Sequence, residues 1–381
     1  TQLILDAAHA VVQNNKKRAP KKLWTEKKGG DLITLNQYND ERQEAKKIIG
    51  QIQNQYNNGR KFNELVILYR TNAQSRSIED ELRKAGVPYK IIGGVKFYDR
   101  KEVKDILAYL RLIVNPRDTI SFDRIINFPI RGIGRTTLDK IHSNLNDTNI
   151  INSLESINST GIGEKQIKGI LNFVELIKKY SIKSKSIKPS QILKDLLDEI
   201  KLKSYYEVQQ TSESLERWLN IEECLSSIVD YENNSDDPSL SGYLEEVSLL
   251  TDIDKWNDKE DVVTMMTIHS SKGLEFNYVY ITGLEDGLFP IVHLFEDENI
   301  EEERRLFYVA LTRAQKNVFL TYAKSRRKFG SEPIPSKISR FINEIPKKLF
   351  IRNPLLIKKD ILYNNSIEIT DKKQLLVSKI Q

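Results

Sequence analysis

Apolar residues recur at helical spacing from Leu3 to Val12, and again from Glu41 to Tyr56, where Ala45, Ile48, Ile49 and Ile52 return to one side of a helix. Leu32–Leu35 and Leu65–Tyr69, on either side of the second helix, are short aliphatic runs that read as strands. The chain therefore opens as a helix, an exposed Lys/Arg/Pro connection over Lys16–Lys22, and a β-α-β unit. After Gly94 the pattern changes. From about Asp99 to Asn257 the segments are mostly helical, joined by polar linkers such as Asn233–Pro238, and poor in β-rich runs. Strand patterning resumes at Asp261: Val262–Ile268 is apolar, Ser270–Gly273 is a turn, and Tyr278–Ile281 is a second apolar run. That order is α/β grammar. The simplest organisation is an α/β domain built from residues 1–98 and 258–345, with a mostly helical domain over 99–257 inserted in it and an unassigned tail over 346–381.

Glu301–Ala314 reads as a helix that carries an arginine where apolar packing is expected. Leu306, Val309 and Ala310 share one side, and Arg313, seven residues after Leu306, comes back to nearly the same direction. A buried guanidinium needs an anionic partner. The plainer reading pairs Arg313 with a carboxylate of its own protein; the functional one keeps it for an anionic ligand. The Ser270–Gly273 turn follows a strand, and open parallel sheets place ligand contacts outside the carboxyl ends of their strands.

Composition sets limits. The chain has 381 residues, enough for two domains with real cores. Its net charge of +6 comes from 59 basic against 53 acidic residues, a mild excess that favours polyanion contact without deciding it. The single cysteine, Cys224, cannot form an internal disulfide, and the 4 histidines show no zinc spacing, so no metal site is read. These features point to a cytoplasmic compartment, and with no apolar run long enough for a span, membrane insertion is not expected.

Two copies of Gly-Ile-Gly lead into helices, at Gly132–Gly134 and Gly161–Gly163. Glycines at a tight turn let backbone N–H groups approach an anion, and the following helix N-terminus adds its positive dipole end. A glycine can equally be a helix C-cap. Two copies with Arg131, Arg135 and Lys165 nearby favour phosphate contact that positions a duplex without reading its sequence, although Glu164 weakens the second copy.

Val262–Phe276 with Tyr278–Gly283, and Glu301–Ala314, resemble motifs V and VI of superfamily 1 DNA helicases of the UvrD/Rep/PcrA type, most closely the PcrA branch. Leu65–Arg76 and Tyr89–Leu110 are similar to the same helicases, so the resemblance covers roughly residues 1 to 345. It implies a second RecA-like domain of the P-loop NTPase type, interrupted by an accessory domain called 2B. It also implies an ATP-dependent DNA helicase of DNA repair or replication, translocating 3′-to-5′ on single-stranded DNA and engaging duplex junctions. No G-x-x-x-x-G-K-[ST] loop and no strand ending in paired Asp-Glu occur in the sequence. In the family those belong to the first RecA-like domain. The chain, opening at Thr1 without Met, is therefore expected to be a carboxy-terminal half lacking its N-terminal partner, inactive alone, with ATP and Mg²⁺ as cofactors of the whole enzyme and the Mg²⁺ ligands outside this chain.

The resemblance also assigns roles. Arg313 matches the arginine that reaches the γ-phosphate and stabilises transition-state charge. Glu275, beside Gly273, matches the glutamate that accepts from the nucleotide ribose. Thr267 and His269 match positions near the single strand, and Arg70, Thr71 and Asn72 form a polar triplet suited to successive phosphates. The chain departs from the family after Phe289-Pro290, where Ile291-Val-His-Leu294 replaces the usual histidine, and Lys347–Gln381 carries no readable motif. A rival from another class is a non-catalytic DNA-binding or interaction module that keeps a helicase-like fold. A helicase-nuclease would need a clustered metal site after motif VI, and Lys347–Gln381 is too short to supply one.

Overall fold

The computed structural model describes residues 1–16, 24–26, 29–143, 149–155, 161–255, 260–291, 297–327, 329–330 and 332–353. In chain order the first elements are α1 (Gln2–Val12), β1 (Ile33–Tyr38), α2 (Glu41–Asn57) and β2 (Leu65–Tyr69). The middle contains α3 (Ser75–Lys84), β3 (Tyr89–Ile92), α4 (Lys101–Val114), α5 (Thr119–Ile125), α6 (Arg135–Ser143), α7 (Ile150–Glu155) and α8 (Glu164–Lys183). It continues with α9 (Pro189–Glu199), α10 (Leu202–Glu207), α11 (Ser212–Asn234) and α12 (Leu240–Lys255). Then come β4 (Val263–Thr267), β5 (Phe276–Ile281), α13 (Asp297–Thr312), β6 (Ala314–Ala323), the two-residue strands β7 (Ser325–Arg326) and β8 (Ile334–Pro335), and β9 (Phe350–Asn353). Two compact units result, Thr1–Arg70 with Asp261–Arg326 and Pro335–Gln381, and Thr71–Glu260 with Arg327–Ile334.

In the first unit the strands stand in the order β4-β2-β5-β6-β1-β9, and each of these neighbouring pairs is parallel. This is the α/β parallel class that the patterning predicts. Central strand β2 is buried at every position, as its aliphatic run requires. Helix α2 starts where Asp40 accepts from the Gln43 N–H at 2.8 Å, with Glu41 and Glu44 in its first turn complementing the dipole. It buries Ala45, Ile48, Ile49 and Ile52, the residues whose spacing announced it. Strand β9, which falls in the unassigned tail, pairs with β1 at the sheet edge.

The second unit is helical, with one core through Val103, Ile106, Tyr109, Phe173, Leu193, Leu196, Ile221 and Leu225. It begins at Thr71 rather than near residue 99, for an electrostatic reason. Arg76, whose side chain is 4% exposed, meets Glu223 at 2.5 Å, Asp230 at 2.8 Å and Asp80 at 3.1 Å. Arg100 donates to Asn220 at 2.8 Å and to the Ser75 hydroxyl at 2.7 Å. These bonds fasten the segment after Thr71 to α11. The returning segment joins the same helix, through Arg327 to Asp230 at 3.2 Å and Phe329 against Trp218 at 5.7 Å. Among the described residues no helix is long and apolar enough to cross a membrane.

Candidate functional site

The predicted contacts of the α/β unit fall on opposite edges of its sheet. Thr267 ends β4 and Arg70 follows β2, so Thr267, His269 and Arg70 lie at carboxyl ends. Gly273 and Glu275 precede β5 and Arg313 precedes β6, so these lie at amino ends. The turn after β4 was expected outside the carboxyl ends; only its first part is there. Residues 268–275 must cross the sheet because β4 and β5 both run parallel to β2.

At the amino edge Arg313 occupies the turn just beyond α13, not the helix itself. Its carbonyl accepts from the Phe276 N–H at 2.9 Å, which starts the β5–β6 ladder and ends the helix. The half-buried side chain donates from Nε to the Val309 carbonyl at 3.1 Å, from Nη1 to the Leu274 carbonyl at 2.9 Å, and from Nη2 to the Thr312 hydroxyl at 3.2 Å. All three acceptors are neutral, and among the described residues no carboxylate stands within ion-pair range. The contrast within the same unit is sharp, since Arg70 has Glu303, Arg304 has Glu344, and Arg326 has Glu44 and Glu285. Glu275 is exposed and accepts from the Gln315 amide at 3.0 Å. Gly273 sits at φ +88° with open space around it, so backbone conformation rather than crowding calls for glycine there.

At the carboxyl edge the Thr267 hydroxyl lies 3.0 Å from that of Ser270 and accepts from the Ser270 N–H at 3.3 Å, while His269 is exposed at the start of the following turn. Arg70, expected to meet phosphate, is paired within the protein. Its guanidinium grips Glu303 through Nε and Nη2 at 2.6–3.0 Å in a bidentate pair, and the same carboxylate accepts from the Ile291 N–H. Thr71 and Asn72 belong to the helical unit. Thr71 donates its N–H to Gln74 at 2.8 Å, and Asn72 donates to Glu216 at 3.0 Å. The triplet is thus tied into two separate networks. The departure expected at Val292–Leu294 lies outside the described residues, as does most of the tail.

The helical unit carries the two Gly-Ile-Gly turns. Gly132 and Gly161 have φ of +76° and +84°, which only glycine adopts without strain. Ile133 and Ile162 between the glycines are buried and anchor each turn. The carbonyls of Gly134 and Gly163 then accept the first helical bonds, from Leu138 and Ile167, each at 3.0 Å. Arg135 and Lys165 are exposed at the resulting helix starts with no side-chain partner among the described residues. Lys168, one turn along α8, is exposed too and was not singled out from the sequence. Arg131 is structural instead. It donates to the carbonyls of Ile125, Ile126 and Phe128 and to the Tyr109 hydroxyl at 2.7 Å, lying over Phe173. Burial pushes the Tyr109 hydroxyl above its ordinary range, although Arg131 pulls the other way. The Lys140 ammonium, on the helix that follows the first turn, donates to the carbonyl of Gly161 in the second.

An open parallel sheet with an unneutralised arginine and a glutamate at one edge, accompanied by a helical unit with paired glycine turns, defines a class of α/β protein fit to meet a polyanionic ligand. The family model for the UvrD-like helicase C-terminal domain matches residues 1–325, and the chain belongs to that family. It is 41% identical over 359 residues to the ATP-dependent DNA helicase PcrA of Bacillus subtilis (strain 168), covering 92% of this chain and 48% of that protein. The PcrA helicases of Staphylococcus aureus (strain Mu50) and Staphylococcus epidermidis are 41% and 40% identical, over 92% of this chain and 48% and 49% of theirs. The chain thus spans about half the length of the curated relatives it matches. A solved structure, the C-terminal domain of a possible DNA helicase from a Lactobacillus, aligns over 93% of this chain and 96% of its own at 10% identity and a TM-score of 0.35.

Proposed function

We propose that this chain is the carboxy-terminal motor half of an ATP-dependent 3′-to-5′ DNA helicase acting in DNA repair or replication. The α/β unit is its second RecA-like domain and the helical unit its accessory domain. The observation that carries the reading is Arg313, a half-buried guanidinium held by neutral acceptors alone, one strand away from Glu275. Arg70, Arg304 and Arg326 of the same unit sit on carboxylates instead. On this reading Arg313 meets the γ-phosphate of ATP, Glu275 accepts from the ribose, and Gly273 gives the turn between them and the DNA edge its shape. Magnesium, supplied with ATP, is held by carboxylates outside this chain. Thr267 and His269 face single-stranded DNA at the opposite edge. Arg135, Lys165 and the backbone of Gly132, Gly134, Gly161 and Gly163 hold the phosphates of a duplex junction. With no phosphate loop in its sequence, the chain by itself does not hydrolyse ATP.

The test is Arg313→Ala in the full-length protein. Nucleotide and single-strand affinity should change little, while DNA-stimulated turnover falls by about 10³-fold or more, because charge at the γ-phosphate develops only in the transition state. Arg313→Lys should rescue poorly, since a point charge lacks the planar fork of donors. A variant that melts early yet turns over normally would return Arg313 to a structural role.

A further inference from the structure

We infer that Gln315 is a positioning residue that presents the Glu275 carboxylate to the hydroxyls of a bound ribose, an inference resting on the proposed role of Glu275. The backbone on both sides of Glu275 is already pinned by one residue, through Arg313 Nη1 to the Leu274 carbonyl at 2.9 Å and the Phe276 N–H to the Arg313 carbonyl at 2.9 Å. What remains free is the side chain, and an exposed glutamate samples several rotamers whose loss on binding weakens affinity. Gln315 removes that freedom beforehand by donating from Nε2 to Glu275 Oε2 at 3.0 Å.

The strand geometry puts Gln315 there deliberately. Phe276 aligns with Ala314 but Tyr278 aligns with Asn317, so β6 holds one extra residue across Gln315–Lys316. Such a bulge re-aims a side chain, and in a parallel pair it is rare. The chemistry fits as well. An amide offers N–H to one carboxylate oxygen and leaves the other lone pairs to accept from two ribose hydroxyls. A glutamate at 315 would set acceptor against acceptor.

The experiment compares ATP with 2′,3′-dideoxy-ATP in the full-length protein carrying Gln315→Met, Gln315→Glu or Glu275→Ala. Gln315→Met keeps chain length without a donor, so folding is preserved while the bond is lost, and a melting curve verifies it. The wild type should prefer ATP over the dideoxy nucleotide. Gln315→Met should cut that preference about 3- to 10-fold, the scale of one ordinary intramolecular hydrogen bond in an exposed setting, raising KM for ATP more than it lowers kcat. Gln315→Glu should cut it at least as far, and Glu275→Ala should abolish it. If Glu275→Ala abolishes the preference while Gln315→Met keeps it, the positioning role is overturned and the ribose contact stands. If Glu275→Ala keeps the preference, the ribose contact itself falls, and the role of Gln315 with it.

Discussion

Arg76→Met tests the charge cluster that closes the helical unit. The guanidinium is 4% exposed and faces Glu223, Asp230 and Asp80 at 2.5, 2.8 and 3.1 Å. Removing one partner of a buried ion pair costs about 3–5 kcal/mol, because the other charge is left desolvated. Here the lower end applies, since Asp80 keeps Arg83 at 3.0 Å and Asp230 keeps Arg327 at 3.2 Å. Methionine fills most of the volume, so little cavity term is added. A loss of about 3 kcal/mol corresponds to a fall in melting temperature of about 6–12 °C for a domain of this size. Urea unfolding followed by the fluorescence of Trp218, which is buried beside Phe329, gives the free energy directly. Because the pair is buried, the loss should persist at high salt. Pairing the change with Asp230→Asn should cost less than the sum of the two single variants. A loss below about 1 kcal/mol, or one that vanishes in molar salt, would mean that apolar packing alone holds the segment after Thr71 to α11, and the electrostatic account of the unit boundary would be wrong.

Three further outcomes follow. Gly132→Ala and Gly161→Ala should each cost about 1–2 kcal/mol, since both positions are left-handed; the pair should weaken binding to duplex junctions more than to single strands at matched salt, and an equal loss on both would make the turns purely structural. Arg70→Ala should lower stability through the orphaned Glu303 while leaving the salt dependence of single-strand binding unchanged, whereas a slope reduced by about 1 would restore Arg70 as a phosphate contact. Burial pushes the Cys224 thiol up to about 12 from 9.0. It is therefore neutral in both folded and unfolded chains below pH 9, costs stability only as pH rises from there, and should resist thiol reagents at pH 8 until the chain unfolds.

Much of this architecture could be read from patterning because burial writes itself into residue type. The run Leu65–Tyr69 is a strand buried throughout, and Ala45, Ile48, Ile49 and Ile52 are the buried side of α2. The glycine turns were legible because a left-handed residue followed by a buried isoleucine leaves a sequence trace. Ion pairs leave none. Arg76 meets Glu223 across 147 positions, and no period or propensity relates them, so the helical unit starts earlier than its apolar pattern suggests. The pairing of Arg70 was equally unreadable, since its partner Glu303 lies 233 positions away. Edge assignment also escaped. A turn between two strands looks the same whether it stays at one end of a sheet or crosses to the other, and only the parallel pairing of β4 and β5 with β2 decides that. Gln315 was invisible because a bulge is a count of residues against a partner strand, not a residue type.

The separation of Thr267 and Glu275 to opposite edges makes the sheet a lever. β5 has 6 residues, a span of about 20 Å at ~3.3 Å per residue, and its ladders to β2 and β6 cannot stretch. A push at the amino edge therefore reaches the carboxyl edge as rotation of the whole unit rather than as a wave of local rearrangement. Tilting an arm of about 20 Å by about 10° moves its far end by about 3.5 Å. On the proposed reading a small swing answering one bound phosphate is then enough to displace Thr267 against the strand it faces, with the gear ratio set by the length of β5.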